Sequence, residues 1–110
     1  MILVFKYLFR SNYVGLSLWP FIIVKEDVYK RDNVLINHEK IHLKQQLELL
    51  ILPFYLWYVV EWMLRSLIYW DTYKAYQNIS FEREAYENEK ELGYPQRRRP
   101  YSFLKYLVRP

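Results

Sequence analysis

No cysteine occurs anywhere in the chain. That excludes a disulfide framework and every thiolate metal site, so any metal must be held by histidine and carboxylate. Glycine is nearly as scarce, with two residues among 110. Few positions favour tight hairpin turns, and the long Leu-, Tyr- and Glu-rich stretches predict a mainly helical chain. An uninterrupted spanning segment is also missing. The longest charge-free runs, Ser11–Val24 and Leu49–Val60, have 14 and 12 residues, short of the ~20 needed to cross a bilayer. At the start of the chain Arg10 interrupts the apolar stretch and no small-residue cleavage site follows, so a secretory signal is not expected. A chain of this length is expected to be a single domain. Residues 1–33 form its strand-containing part, 34–92 its principal helices and 93–110 a basic tail.

Aromatic side chains are abundant, at 20% of residues, and charge is unevenly distributed. Residues 1–31 carry five basic and two acidic side chains, 32–91 six and ten, and 92–110 five and none. Basic ends and an acidic centre fit a protein whose ends meet an anionic surface while its middle holds a cation; ordinary solubilising charge gives the same totals. Leu49–Trp70 contains only Glu61 and Arg65 as charges, spaced so that they can pair on a helix. Its Trp and Tyr content is that of a membrane-interface belt, so this segment is either a membrane-dipping helix or a soluble core helix.

Tyr13–Val24, β-branched and aromatic, predicts one or two short strands, with Pro20 confining them to a sheet edge. Asp32 or Asn33 can cap a helix that starts near Val34 and runs to about Leu52, where Pro53 stops or kinks it. A second helix is expected over Phe54–Trp70, then a polar link over Asp71–Asn78. Ser80 can cap a third helix, Phe81–Leu92, ended by Gly93 with Pro95 beyond. A short amphipathic piece, Tyr101–Val108, closes the chain.

The two histidines, the only ones present, fall in His38-Glu39-Lys40-Ile41-His42. Residues four apart share one face of a helix, so both imidazoles can bind one ion. Glu39, about 100° round from His38, lies beside the ion but off the ligand axis. There it suits a general base acting on water whose pKa zinc lowers to ~7. Leu35, Gln45, Gln46 and Leu49 surround this face and give it a half-buried character, in which uncompensated imidazoles would be costly. Gln45 and Gln46 are either donors that orient the ligands or part of a solvated surface.

A third ligand must be Asp or Glu. Five of the nine glutamates lie in Phe81–Leu92. On a helical wheel Phe81, Ala85 and Leu92 make an apolar stripe, Glu82 and Glu89 fall inward, and Glu84, Glu87 and Glu91 fall outward. The pair His38–His42 and Glu82-Arg83-Glu84-Ala85 resembles the HExxH…ExxA signature of gluzincin-type zinc metallopeptidases. The likeness is greatest to the membrane-embedded CAAX-prenyl-protease type and its small bacterial relatives. It covers residues 34–92 at the level of motifs. It implies a zincin-like helical domain: an HExxH helix, a hydrophobic helix and a Glu-bearing helix beside the N-terminal strands, α+β overall and mainly α. It further implies one zinc per chain held by His38, His42 and Glu82, with Glu39 as general base. The Asp that usually follows the Ala of ExxA is replaced by Tyr86.

Glu89 is expected to support the ligands from behind. Tyr86, one turn beyond Glu82, either points its hydroxyl at a developing oxyanion or packs as an aromatic. An extended peptide could add to the strand around Trp19–Val24. The run Arg97-Arg98-Arg99 would meet anionic lipid rather than nucleic acid, for which no recognition signature is present, or simply be solvated. The expected function is a membrane-associated zinc hydrolase acting on a peptide or protein, at a bacterial inner membrane with its site facing the cytoplasm. The alternative is a non-catalytic membrane module with a structural or vestigial zinc site.

Overall fold

A computed structural model describes residues 1–9 and 13–108. It is a mostly helical α+β arrangement with a three-stranded N-terminal sheet. The strands are β1 (Ile2–Val4), β2 (Gly15–Leu18) and β3 (Phe21–Val24), in the order β1-β3-β2. β1 runs parallel to β3, pairing Ile2 with Ile22, and β2 runs antiparallel to it, pairing Gly15 with Val24 and Leu18 with Phe21. Pro20 therefore lies in the β2–β3 turn, and Phe21–Val24 is the central strand rather than an edge. Without an N–H, Pro20 is tolerated outside the ladder, where no bond is required of it. β1, too short for an alternating pattern, is held by pairing with a strand some twenty residues away.

Ile22 and Val24 pack on Ile36 of α1 (Asn33–Leu49). Asp32 caps this helix, its side chain accepting from Leu35 N at 3.1 Å. The chain breaks at Leu50, which takes φ 61°, and resumes as α2 (Ile51–Tyr69). The break thus precedes Pro53, which sits in the first turn of α2, where a missing N–H costs nothing. Asp71, accepting from the N–H groups of Tyr73 and Lys74, caps a short α3 (Thr72–Gln77) in the stretch expected to be a link.

α4 (Ser80–Asn88) is shorter than the expected third helix, and its terminators come from elsewhere in the fold. Ser80 does not cap it. Instead, its N–H and hydroxyl both donate to Glu61 of α2, each at 2.6 Å, so a distant carboxylate satisfies the helix start. Glu61 also accepts from Arg65 at 2.8 Å, the pairing expected from their spacing. At the other end Asn37 of α1 donates to the carbonyls of Glu89 and Glu91, each at 2.8 Å, and the chain turns there. Gly93 has φ −86° and plays no left-handed terminating role. Two short helices, α5 (Tyr94–Arg97) and α6 (Leu104–Leu107), follow. Phe54, Ile79, Phe81 and Phe103 form the main apolar cluster, joining α2, α4 and the C-terminal segment. Ile41, Ala85 and Tyr94 form another, which joins α1 and α4 directly beneath the two motifs.

Candidate metal centre

The i,i+4 spacing of His38 and His42 brings their Nε2 atoms 3.2 Å apart, in side chains that are almost fully buried. Ala85, with no exposed surface, lets α4 approach α1 closely. One turn before it, Glu82 reaches both imidazoles: Oε1 lies 3.0 Å from His38 Nε2 and 3.1 Å from His42 Nε2. The three residues form a buried cluster able to hold a metal ion, on the two helices where the motifs lie.

The partners behind the ligands decide what faces the centre. The Nδ1–H of His38 donates to Glu89 Oε1 at 2.8 Å. The amide nitrogen of Gln45 donates to Phe81 O and to Glu84 Oε1, which turns its oxygen toward His42 Nδ1 at 2.8 Å. Since a carboxylate and an amide oxygen only accept, both Nδ1 atoms carry hydrogen, and each Nε2 is the nitrogen that faces the centre, able to bind an ion once it gives up its own proton. Two imidazole nitrogens and a carboxylate oxygen converge in a buried space, an arrangement that could hold a cation between them. Ligand atoms at zinc distances in a tetrahedral site stand roughly 3.3–3.5 Å apart, close to the separations of these three. The donor set of two imidazoles and one carboxylate, without sulfur, is one that zinc accepts.

The electrostatics express the same demand. Burial alone would lower the pKa of His38, yet Glu82 and Glu89 outweigh it and raise it to about 10. His42 is raised in the same way, burial being overcome by Glu82. Burial acts to raise Glu82, but the two histidines hold its carboxyl well below the usual carboxylate range. Burial raises Glu39, with the histidines pulling in the opposite direction. In the absence of metal, protons on the imidazoles supply the positive charge the cluster needs.

A cavity of about 480 Å³ leads to the triad, with Glu39, His42 and Glu82 in its wall. Glu39 lies against Gly15 of β2, where a Cβ would come within 3.2 Å of its Oε2. Tyr76, from α3, lines this cavity and also a smaller cleft that shares Glu39 with it. Tyr86 lies in that smaller cleft. Its ring meets His38 edge-on at 4.5 Å between centroids, and its hydroxyl is 3.2 Å from that of Tyr76.

Other expectations divide. Gln45 and Gln46, for which a solvated face was an alternative, are both completely buried. Gln45 holds His42, whereas Gln46 serves the sheet, bonding Ser17 of β2, the Trp19 N–H and the Tyr55 hydroxyl. Glu87 and Glu91 face outward as expected, but Glu84 does not. It is fully buried and binds Arg98, Tyr94 and Gln45. The wheel misplaces it because the C-terminal segment covers the side of α4 that an isolated helix would leave to solvent. For the same reason Arg98 is not part of a free basic surface: its side chain is 3% exposed and paired with Glu48 and Glu84. Tyr58, which the sequence alone did not single out, donates to Glu82 Oε2 at 2.7 Å. Among twelve tyrosines, only tertiary proximity marks it.

Comparison with models of protein families, with curated proteins and with solved structures returns no match. The centre is defined by its own geometry: a buried His38/His42/Glu82 cluster, consistent with an HExxH-like motif, in a small helical α+β chain.

Proposed function

We propose that the protein is a minimal zinc-dependent hydrolase acting on peptide bonds and attached to a membrane. The convergence of three lone-pair donors beside a buried carboxylate and an open cavity carries this reading. His38, His42 and Glu82 would hold the ion. When bound, zinc would act as a Lewis acid and lower the pKa of water in the site. Glu39, off the ligand axis and within the cavity, would take a proton from that water and return it to the leaving amine. Its burial, which favours the protonated form, suits a group that must both accept a proton and give it back. Tyr58 would hold Oε2 of Glu82 so that Oε1 alone serves the ion. The hydroxyl of Tyr76, steadied by Tyr86, would be available to a developing oxyanion.

Edge addition of a substrate transfers from the central strand to β2. Lys25 N donates to Val14 O, and antiparallel alternation then turns the backbone groups of Gly15 and Ser17 away from β3. Ser17 O is taken by Tyr55 and Gln46. Gly15, beside Glu39, is the position where an extended peptide would run closest to the base.

Membrane attachment rests on α2. Its 19 residues have borderline mean hydropathy, 1.2 over the most apolar window, and only 11% of that window is buried. Leu52, Leu56, Val60, Leu64 and Ile68 are all exposed. An apolar helix face left outside the core is expected to meet lipid, with the active centre on the cytoplasmic side of a bacterial inner membrane.

A non-catalytic reading, with zinc as a structural staple, draws on the near-complete burial of all three ligands. Glu39 separates the two. Full-length protein in detergent should carry close to one zinc per chain. Glu39→Gln should retain that zinc while hydrolysis of a fluorogenic peptide library falls at least ~10²-fold. Zinc stoichiometry near zero after exposure to excess metal would end the metal reading. Zinc retained with no wild-type hydrolysis would favour the staple.

A further inference from the structure

Behind His42 lies a continuous chain of buried polar groups that extends to the C-terminal segment. His42 Nδ1–H donates to Gln45 Oε1 at 2.8 Å, and Gln45 Nε2 donates to Glu84 Oε1 at 2.9 Å. Arg98 grips both oxygens of Glu84, Nε to Oε2 at 2.7 Å and a terminal nitrogen to Oε1 at 2.9 Å, and Tyr94 donates to Oε2 at 2.6 Å. A second terminal nitrogen of Arg98 donates to Glu48 of α1 at 2.7 Å. Gln45 and Glu84 have no exposed surface, and the Arg98 side chain has almost none.

The direction of each bond matters. An amide can present either its oxygen or its nitrogen to His42, and only the oxygen selects the Nδ1–H form that leaves the Nε2 lone pair for a metal. The choice is made on the far side of Gln45, where Glu84 Oε1 and Phe81 O demand a donor. Arg98 grips Glu84 through a bidentate pair, which fixes both carboxylate oxygens in place and leaves them only acceptors toward Gln45. Without Arg98, nothing would hold the Glu84 carboxyl in the orientation that faces the Gln45 nitrogen, and the amide would be free to reverse.

We infer that Arg98, acting through Glu84 and Gln45, is a positioning residue that sets the metal-binding form of His42, so that the centre is completed only when the C-terminal segment is docked. This rests on the metal reading of His42, and it gives the segment after residue 93 a role in the site rather than that of a basic tail.

The test uses the full chain with Gln45→Leu, Glu84→Gln, Arg98→Gln and, as a control, the exposed neighbour Arg97→Ala. Two quantities are read: zinc affinity, by competition with a chromogenic chelator, and the His42 imidazole Nδ1–H proton, by ¹⁵N-resolved NMR of metal-free protein. In wild type and Arg97→Ala that proton should exchange slowly. The other three variants should exchange it rapidly, and should bind zinc about 10–100-fold more weakly. Wild-type affinity together with a protected proton in the three variants would overturn the proposal. An effect confined to Gln45→Leu would overturn the assignment to Glu84 and Arg98. Should Glu84→Gln or Arg98→Gln fail to fold, Gln45→Leu, close in volume and neutral, still decides: a retained proton and unchanged affinity there refute the chain. A wild-type protein that binds no zinc would sink the metal reading, while the proton measurement would still report on the chain.

Discussion

The hydroxyl of Tyr58 donates to Oε2 of Glu82 at 2.7 Å, while the other oxygen of the same carboxylate, Oε1, faces both histidines. A residue of the hydrophobic helix thereby determines how Glu82 presents itself to the two histidines. Tyr58→Phe would free Oε2 and allow the carboxylate to rotate. Zinc affinity is expected to fall by about 10-fold, at the low end of what loss of a ligand's supporting hydrogen bond costs. Chelator competition measures it, and unchanged affinity would show that the bond has no bearing on the ligand.

At Gly15 the absence of a side chain has a specific reason. A Cβ would lie 3.1 Å from Leu35 Cδ1 and 3.2 Å from Glu39 Oε2, tighter than ordinary contact. Gly15→Ala should displace Glu39 slightly, and Gly15→Val substantially. The expected result is hydrolysis reduced in that order with zinc stoichiometry unaltered. A Gly15→Val variant with full turnover would separate β2 from the chemistry.

Protons and metal compete for the same lone pairs, so zinc affinity should rise with pH as the histidines lose their protons, a trend that titrations at several pH values would reveal. The metal-free protein behaves differently. His38 is raised from its ordinary 6.5 to about 10, so its contribution to stability is complete below about pH 6.5 and disappears as pH rises through 10. Glu82, lowered, contributes above its ordinary value near 4.5 and loses that contribution as pH falls through its depressed value. The cluster therefore stabilises metal-free protein most fully between about 4.5 and 6.5. Denaturant midpoints measured from pH 4 to 10 in chelator should decline toward the alkaline end. A midpoint still rising above pH 7 in chelator would contradict the assigned charges.

Glu61 is buried and accepts from Ser80 N, Ser80 Oγ, Arg65 and Trp57. Glu61→Ala leaves Arg65 without its carboxylate and the start of α4 without its acceptor. A loss of about 3–5 kcal/mol is expected from breaking such a pair, read as a shift in the unfolding midpoint. Because α4 carries Glu82, zinc affinity should fall in parallel. A shift under 1 kcal/mol would mean that water replaces the carboxylate.

Placing charge on α2 tests the membrane proposal. Wild-type chain should co-sediment with vesicles containing anionic lipid, and Leu56→Glu combined with Leu64→Glu should abolish this while leaving zinc binding intact. Both residues are exposed, at 69% and 58%, so the substitutions should not disturb the core. Wild-type protein that stays soluble and ignores vesicles would remove the membrane from the proposal.

What the sequence by itself determined is local and periodic. The i,i+4 rule suffices to put His38 and His42 on one face, and the same rule pairs Glu61 with Arg65. Asp32 caps α1 because its side chain reaches an N–H three residues on. The wheel of α4 turns Glu82 and Glu89 inward, because the apolar stripe of Phe81 and Ala85 defines which side packs. Tertiary structure decided whatever depends on groups far apart in the chain. Asn37 ends α4 and Glu61 starts it, so its boundaries are not written in its own residues. Parallel pairing of β1 with β3 makes Phe21–Val24 a central strand, and it leaves Pro20 in a turn. The burial of Glu84 and Arg98 arises only when residues 94–106 fold back over α4, replacing solvent with an ion pair. Which end of the Gln45 amide faces His42 is settled last, since it depends on the acceptors, Phe81 O and Glu84 Oε1, that the fold places on its other side.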